Sequence, residues 1–460
     1  MKLSTGEMDL SSGSLVKKIL IYSLPLMLSG MLQLFYNAAD LIIAGQYVGE
    51  TALAAIGSTG SLTSLITNLL IGLSVGVSVS VAQYYGARDD KNVSQVVHTA
   101  ILISGILGVI ASIIGLFLAK PMLVLMDTPD DVIEYSTLYM RIIFSGMIAS
   151  MVFNFGSAIL RAVGETRKPL IFLTISGTVN VILNIFLVTQ INLGVAGVAI
   201  ATVVSQFISA FLVIRTLMRH NGSCRLYLGS LHIYKDKLYR ILRIGIPAGI
   251  QSTVFSISNT LVQSSVNSFG KLVMAGNAAS ANIEGFLYTA CNSFYHASLA
   301  FTGQNYGAKK HDRIGKFLGL CVLFASITGT VLGTLATVFG RELLGLYAPG
   351  NVEAIEYGMI RLSILGLTYF LCGTMDVFAG ALRGFGLSIL PMTVSIAGIC
   401  GIRIVWIYTF FAMNRTLETL YIVYPLSWAV VALIHFICFL FVKKKLTSNT
   451  DSRIDTGIRV

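Results

Sequence analysis

Charge is scarce in this sequence: Asp, Glu, Lys and Arg make up 12% of its residues, whereas 55% are hydrophobic. Soluble domains carry roughly 25% charged residues, so the chain lacks the surface that keeps a protein dispersed in water, and lipid is its natural solvent. The 6 cysteines have no CxxC spacing, and Cys291, Cys321, Cys372, Cys400 and Cys438 sit inside apolar runs, which excludes a disulfide or zinc framework. HExxH, GxSxG, Walker A and Rossmann motifs are all missing. The chain therefore cannot use ATP by itself, and we assign it no catalytic residue, no enzyme activity and no cofactor beyond a coupling ion. The first apolar run is too long for a signal peptide and is expected to stay as a spanning helix.

What is present is length of apolar chain. A crossing needs about 20 mainly apolar residues, and twelve runs meet that need, near 18–44, 52–85, 95–119, 132–158, 168–190, 194–218, 239–268, 274–305, 315–339, 354–381, 387–412 and 417–442. Basic residues alternate between the connecting loops. Lys17, Lys18, Arg88, Lys91, Arg161, Arg167, Lys168, a run from Arg215 to Arg243, Lys309 to Lys316, Arg383 and Lys443 to Lys445 fall on one side. The other side has only Lys120, Lys271, Arg341 and Arg415, among Glu50, Asp127, Asp130, Asp131, Glu342, Glu353 and Glu356. By the positive-inside rule both termini are cytoplasmic, in a multi-pass protein of the plasma (inner) membrane. The same asymmetry accounts for the net charge of +11 without a nucleic-acid partner.

The two halves repeat. Pro25 and Asn37 answer Pro247 and Asn259, at an offset of 247 − 25 = 222. Gln83-Tyr84-Tyr85-Gly86-Ala87-Arg88 answers Gln304-Asn305-Tyr306-Gly307-Ala308-Lys309, and Leu160-Arg161-x-x-Gly164 with Pro169 answers Leu382-Arg383-x-x-Gly386 with Pro391. Matched markers at nearly one offset indicate duplication. The expected fold is an all-α membrane protein of twelve helices in two six-helix bundles related by a pseudo-twofold axis, the parallel-repeat plan of secondary transporters. Its parts are an N-terminal lobe at 1–218, a cytoplasmic linker at 219–238, a C-terminal lobe at 239–445 and a tail at 446–460.

An ionisable group inside a bilayer is costly and asks for a reason. Gln33, Asn37 and Asp40 share one helical face. Chain direction places Asn180, Asn184 and Thr202 at the depth of Asp40, so a carboxylate, two amides and a hydroxyl can meet in one pocket. Hard oxygens suit Na⁺ by the logic of other hard-cation sites, and a carboxylate in so apolar a setting can instead take a proton. In the second half Glu284, Arg361 and Arg403 can compensate one another. Arg141 and Arg361 occupy matching places and read as snorkelling to the outer interface. Asp376 and Glu284 are candidates for substrate or a second ion, and Asn259 and Gln251 belong to a polar stripe that must face protein or water. Aromatics such as Tyr36, Phe35, Phe255 and Phe286 can stack on a flat organic cation.

The first span through Asp40-Leu41-Ile42-Ile43-Ala44-Gly45, the Gln83 motif with its repeat at Gln304, Leu160-Arg161-Ala162-Val163-Gly164-Glu165, and Asp376 with Ala381-Leu382-Arg383-Gly384 resemble multidrug and toxic compound extrusion (MATE) transporters over residues 15–445. The resemblance implies two six-helix lobes exchanging Na⁺ or H⁺ inward for organic cations or drugs outward. It also implies a cation site at Asp40, Asn180, Asn184 and Thr202, with Asp376 as the carboxylate of the tenth span. A departure is the seventh span, which has no acidic residue between Ile246 and Phe269, and this moves the coupling site toward the first lobe. The expected partners are small organic cations, a monovalent cation and membrane lipid, with the chain acting as a monomer. The alternatives are a lipid-linked oligosaccharide flippase of the same superfamily, which would need a strongly cationic cleft, a prenyl-phosphate transferase, which would need clustered Asp, and a channel.

Overall fold

The computed structural model describes residues 7–126 and 128–455, without the side chains of 50, 61, 65 and 447–455. Asp127, the ends of the chain at 1–6 and 456–460, and the side chain of Glu50 lie outside the described residues. No strand occurs among the described residues.

The helices in chain order are α1 (Leu15–Ile43), α2 (Glu50–Gly86), α3 (Asp90–Leu125), α4 (Asp130–Ser145), α5 (Met147–Ala162), α6 (Arg167–Thr189) and α7 (Gly194–Met218). There follow α8 (Lys235–Asn267), α9 (Lys271–Gly307), α10 (His311–Val338), α11 (Gly340–Tyr347), α12 (Val352–Gly384), α13 (Ile389–Ser395), α14 (Ile402–Trp406) and α15 (Leu417–Asp455). Twelve passages of membrane length result among the described residues. The fourth is the pair α4 and α5, bent by 45° at Gly146. The eleventh joins α13 and α14 through π-helical turns at Ile396–Gly401 and Ile407–Phe411. Eleven passages are also apolar enough to cross a bilayer. The remaining one, α9, carries Asn277, Ser280, Asn282 and Glu284, of which all but Asn282 are buried. Large apolar side chains such as Phe117, Phe211 and Phe441 stand exposed along the helices, as a lipid-embedded surface requires.

The repeated motifs are helix stops. At the end of α2, Arg88 takes a left-handed φ of 58°, and Asp89 N donates to Tyr84 O at 3.0 Å. At the end of α9, Lys309 has φ 58° and Lys310 N donates to Asn305 O at 2.8 Å. Gly164 and Gly386 repeat the device after α5 and α12, with φ 85° and 87° and with Glu165 N on Leu160 O and Leu387 N on Leu382 O. This six-to-one bond closes orphan carbonyls at a helix C-terminus. Helix starts are capped by side chains: Asp89 accepts from Asn92 N at 3.1 Å, and Asn351 accepts from Ala354 N at 3.0 Å. The Asn92 side chain and amide also hold the Asp89 carboxyl below its ordinary range.

The chain divides into two compact units, Met1–Asp9 with Leu28–Thr253, and Leu10–Met27 with Val254–Val460. The boundaries fall inside α1 and α8. In the first unit α2 approaches the leading part of α8 at backbone distance, Gly72 lying against Gly249 and Gly76 against the Ile241 carbonyl. Small residues allow such approach in membrane helices. Its core gathers Val77, Met140, Phe144 and Phe155. Residues 219–238 also pack into this unit, with Tyr227 N donating to His98 Nε2 at 3.1 Å and Tyr234 N to Thr99 Oγ1 at 3.1 Å. The core of the second unit gathers Leu362, Leu365, Tyr421 and Val431.

Candidate cation and substrate sites

In the first unit Asp40, near the end of α1, meets α6 and α7. Asn180 and Asn184 lie four residues apart on α6 and so face one way. Thr202 projects from α7, where its hydroxyl also reaches the Val198 carbonyl at 3.1 Å. Asn184 Nδ2 donates to Asp40 Oδ1, Thr202 Oγ1 donates to Asp40 Oδ2 at 3.3 Å, and Asn180 Nδ2 reaches Thr202 Oγ1 at 3.5 Å. All four residues named from the sequence are therefore together. Asn180 and Asn184 are 4% and 0% exposed, and the Oδ1 of each is buried with no hydrogen-bond partner. Buried carbonyls without a partner are uncommon. Two of them beside a carboxylate make a set of hard oxygens short of a positive charge.

Below this set Ile43, Ala44, Ile56, Val188 and Val198 form an apolar floor. Directly after α1 the chain winds as a π-helix over Ala44–Val48, the kind of local unwinding often found at functional positions. Tyr139 of α4 packs against the same floor and is near enough to feel the charge of Asp40. The sequence carried no signal for it, a lone tyrosine on an otherwise ordinary helix. Tyr36, one turn before Asp40, lays its ring against Gly177 of α6, and its hydroxyl approaches the Thr174 carbonyl at 3.5 Å. Gln251 is buried on α8 in the same unit.

In the second unit the candidates separate. Arg361 Nε and Nη2 donate to the two carboxylate oxygens of Glu284, each at 2.7 Å. Arg361 Nη1 donates to Asn277 Oδ1 at 2.6 Å, Ser280 Oγ donates to Glu284 Oε1 at 3.1 Å, and Tyr421 OH donates to Asn277 Oδ1 at 3.1 Å. Arg361 is 8% exposed. The snorkelling expected of Arg361 is thus replaced by a bidentate buried pair, because a carboxylate on a neighbouring helix satisfies the guanidinium in place. Arg141, its counterpart, is exposed and donates to the Leu116 carbonyl at 3.3 Å. Arg403 turns to Asn259 Oδ1 at 2.7 Å and lies 4.2 Å from the Tyr424 ring centroid. Glu284 and Asn259 are therefore committed to arginines. Asp376 is not held in this way. It is half-buried on α12, with Asn292 as its side-chain hydrogen-bond partner and the charge of Arg383 within reach. Asn292 also reaches Tyr288 OH at 3.3 Å, and nothing in the sequence singles Asn292 out.

Two six-helix bundles and a half-buried carboxylate among uncharged oxygens are the marks of a multi-pass membrane transporter. The MatE family model matches residues 25–186 and again 247–409, once in each half, and the chain belongs to that family. It is 28% identical over 445 residues, 95% of this chain and 96% of the other, to the probable multidrug resistance protein YoeA of Bacillus subtilis. The probable multidrug resistance protein NorM of Thermotoga maritima is 23% identical over 84% of each chain. Among solved structures, a transporter of the MOP superfamily from Pyrococcus furiosus, described as having a binding pocket of reversed polarity, superposes with a TM-score of 0.91 at 21% identity, covering 97% of this chain and 100% of that one.

Proposed function

We propose that the chain is an antiporter that couples inward movement of a monovalent cation, Na⁺ or H⁺, to export of organic cations and drugs across the plasma membrane by alternating access, with both termini cytoplasmic. The observation that carries the reading is the pair of buried, unpartnered Oδ1 atoms of Asn180 and Asn184 beside the Asp40 carboxylate. A bound Na⁺ would draw those oxygens inward and discharge the carboxylate, whereas a proton would satisfy Asp40 and leave the amides as they are, so the donor set favours Na⁺. The ion contributes to transport only through its difference in affinity between the outward- and inward-open states.

The multidrug resistance names of the relatives support a small-molecule drug as cargo. Asp376, half-buried in the second unit with Tyr288 and Asn292 nearby, supplies the negative charge and aromatic surface that a flat cation needs. The flippase alternative calls for free basic groups at membrane depth. Arg361 and Arg403 are instead committed to Glu284 and Asn259, which supports the cationic cargo. The test is ethidium efflux from proteoliposomes under an imposed Na⁺ gradient or an imposed pH gradient, for wild type and Asp40→Asn. Efflux driven by one gradient and lost in the variant is expected, and gradient-driven efflux that survives in Asp40→Asn would sink the site.

A further inference from the structure

Between the start of α6 and the end of α7 in the first unit lies a cavity of about 360 Å³ lined by Leu212 and by the polar residues Lys168, Arg215, Thr216, Arg219, His220 and Asn221. Its charge balance is one-sided. Arg215 and Arg219 stand four residues apart on one face of α7, where like charges repel, and neither has a carboxylate partner among the described residues. Lys168 Nζ lies 3.6 Å from the Glu165 carboxylate, whose own burial raises it above its ordinary range. His220 adds no charge. Burial, and then the charge of Lys168, push its imidazole down, and its ring is spent on the Gly222 amide at 3.0 Å and on Glu7 at 3.3 Å. Three cations thus face a space with hydroxyl and amide groups on its wall, while the carboxylates beside it, Glu165 and Glu7, stand against Lys168 and His220.

The surface running away from the cavity is apolar and continuous with it. On α6, Lys168, Ile171 and Ile175 follow one another at helical spacing, and on α7 so do Arg215, Phe211 and Phe207. Ile171, Ile175, Phe207 and Phe211 are 53%, 44%, 50% and 64% exposed, and α6 and α7 pack side by side. A basic recess at the membrane interface opening onto two parallel apolar stripes has the form of a headgroup and its chains. Basic pockets between spanning helices on the cytoplasmic side are suited to acidic headgroups, and guanidinium groups match phosphate oxygens in pairs.

We propose that this recess binds the phosphate of an anionic phospholipid, with Arg215, Arg219 and Lys168 on the phosphate and the acyl chains along the α6 and α7 stripes. Which leaflet supplies the lipid rests on the orientation proposed above; the existence of the site does not. Binding is read from the thermal unfolding of the purified full-length protein in neutral detergent, titrated with phosphatidylglycerol, with phosphatidylcholine and with glycerol phosphate. Phosphatidylglycerol is expected to raise the midpoint at lower concentration than phosphatidylcholine. In Arg215→Gln/Arg219→Gln its apparent affinity should fall on the order of tenfold or more, because each arginine attracts the anionic headgroup separately. Lys168→Gln should weaken it in the same direction. The charge-matched control Lys444→Gln/Lys445→Gln removes two exposed lysines of the second unit and should leave the preference unchanged. An equal loss in that control would reduce the effect to general attraction, and an unchanged preference in the arginine variant would overturn the site. Glycerol phosphate matching the lipid would overturn the lipid assignment. None of these readings requires transport, so they stand or fall apart from the coupling mechanism.

Discussion

At the scale of single residues, two carboxylates within the helical units, the buried Glu284 and the half-buried Asp40, have opposite surroundings. Glu284 is matched by a guanidinium in a bidentate pair closed by Ser280 and Asn277, whereas Asp40 meets only uncharged donors. The first arrangement is self-sufficient and the second invites a cation. Removing one member of a buried pair strands the other charge, at a cost of about 3–5 kcal/mol. Arg361→Met should therefore lower the thermal unfolding midpoint strongly, and Glu284→Gln/Arg361→Met should recover most of the loss. A double variant as unstable as the single one would show that the pair does more than compensate itself. The sequence made the Asp40 group legible because helix period and chain direction together set both face and depth. Depth alone did not decide Arg361. A long side chain that can snorkel will also stay inside when a carboxylate is offered, and which helix offers it is a matter of tertiary packing that spacing does not encode. Tyr139 and Asn292 were invisible for the same reason.

At the scale of elements, the repeated motifs that marked the duplication serve as helix stops, and their conformations separate what glycine supplies from what other residues tolerate. Gly164 and Gly386 hold left-handed φ freely, while Arg88 and Lys309 hold φ 58° against a cost of roughly 1–2 kcal/mol. Arg88→Gly and Lys309→Gly should each raise unfolding stability by about 1 kcal/mol, net of the entropy gained by the unfolded chain. Gly164→Ala should lower it, since the added methyl would also press on the Met8 backbone. Calorimetry in detergent checks the signs, and a destabilised Arg88→Gly would assign that side chain a role beyond the stop. Apolar run length predicted where helices lie but not how they bend. The break at Gly146 and the π-helical turns flanking Arg403 preserve hydropathy, and α11 lies in what read as a loop because eight residues are too few for a periodic signal.

At the scale of the whole molecule, the asymmetry of loop charge predicts the orientation proposed above. Arg341 and Lys444 are both exposed and fall on opposite sides in that scheme. In a cysteine-free background, Arg341→Cys should react with a membrane-impermeant maleimide on intact cells, and Lys444→Cys only after permeabilisation. The reverse pattern would invert the topology and with it the direction of coupling. The twelve passages and the twofold repetition were readable because hydropathy and repeated turn chemistry are local properties. The division of α1 and α8 between the two units was not, since nothing in an uninterrupted apolar run marks where its packing partners change.

The central claim is that a cation held at Asp40 is exchanged for cargo, and coupling between binding steps is reciprocal. The most direct measurement is ion movement driven by cargo: proteoliposomes loaded with an organic cation and diluted into cargo-free buffer, with radiolabelled sodium and internal pH followed together. One of the two ions should enter as the cargo leaves, and Asp40→Asn should abolish this entry while the protein remains folded. Cargo leaving with no movement of either ion, or ion entry undiminished in Asp40→Asn, would contradict that claim.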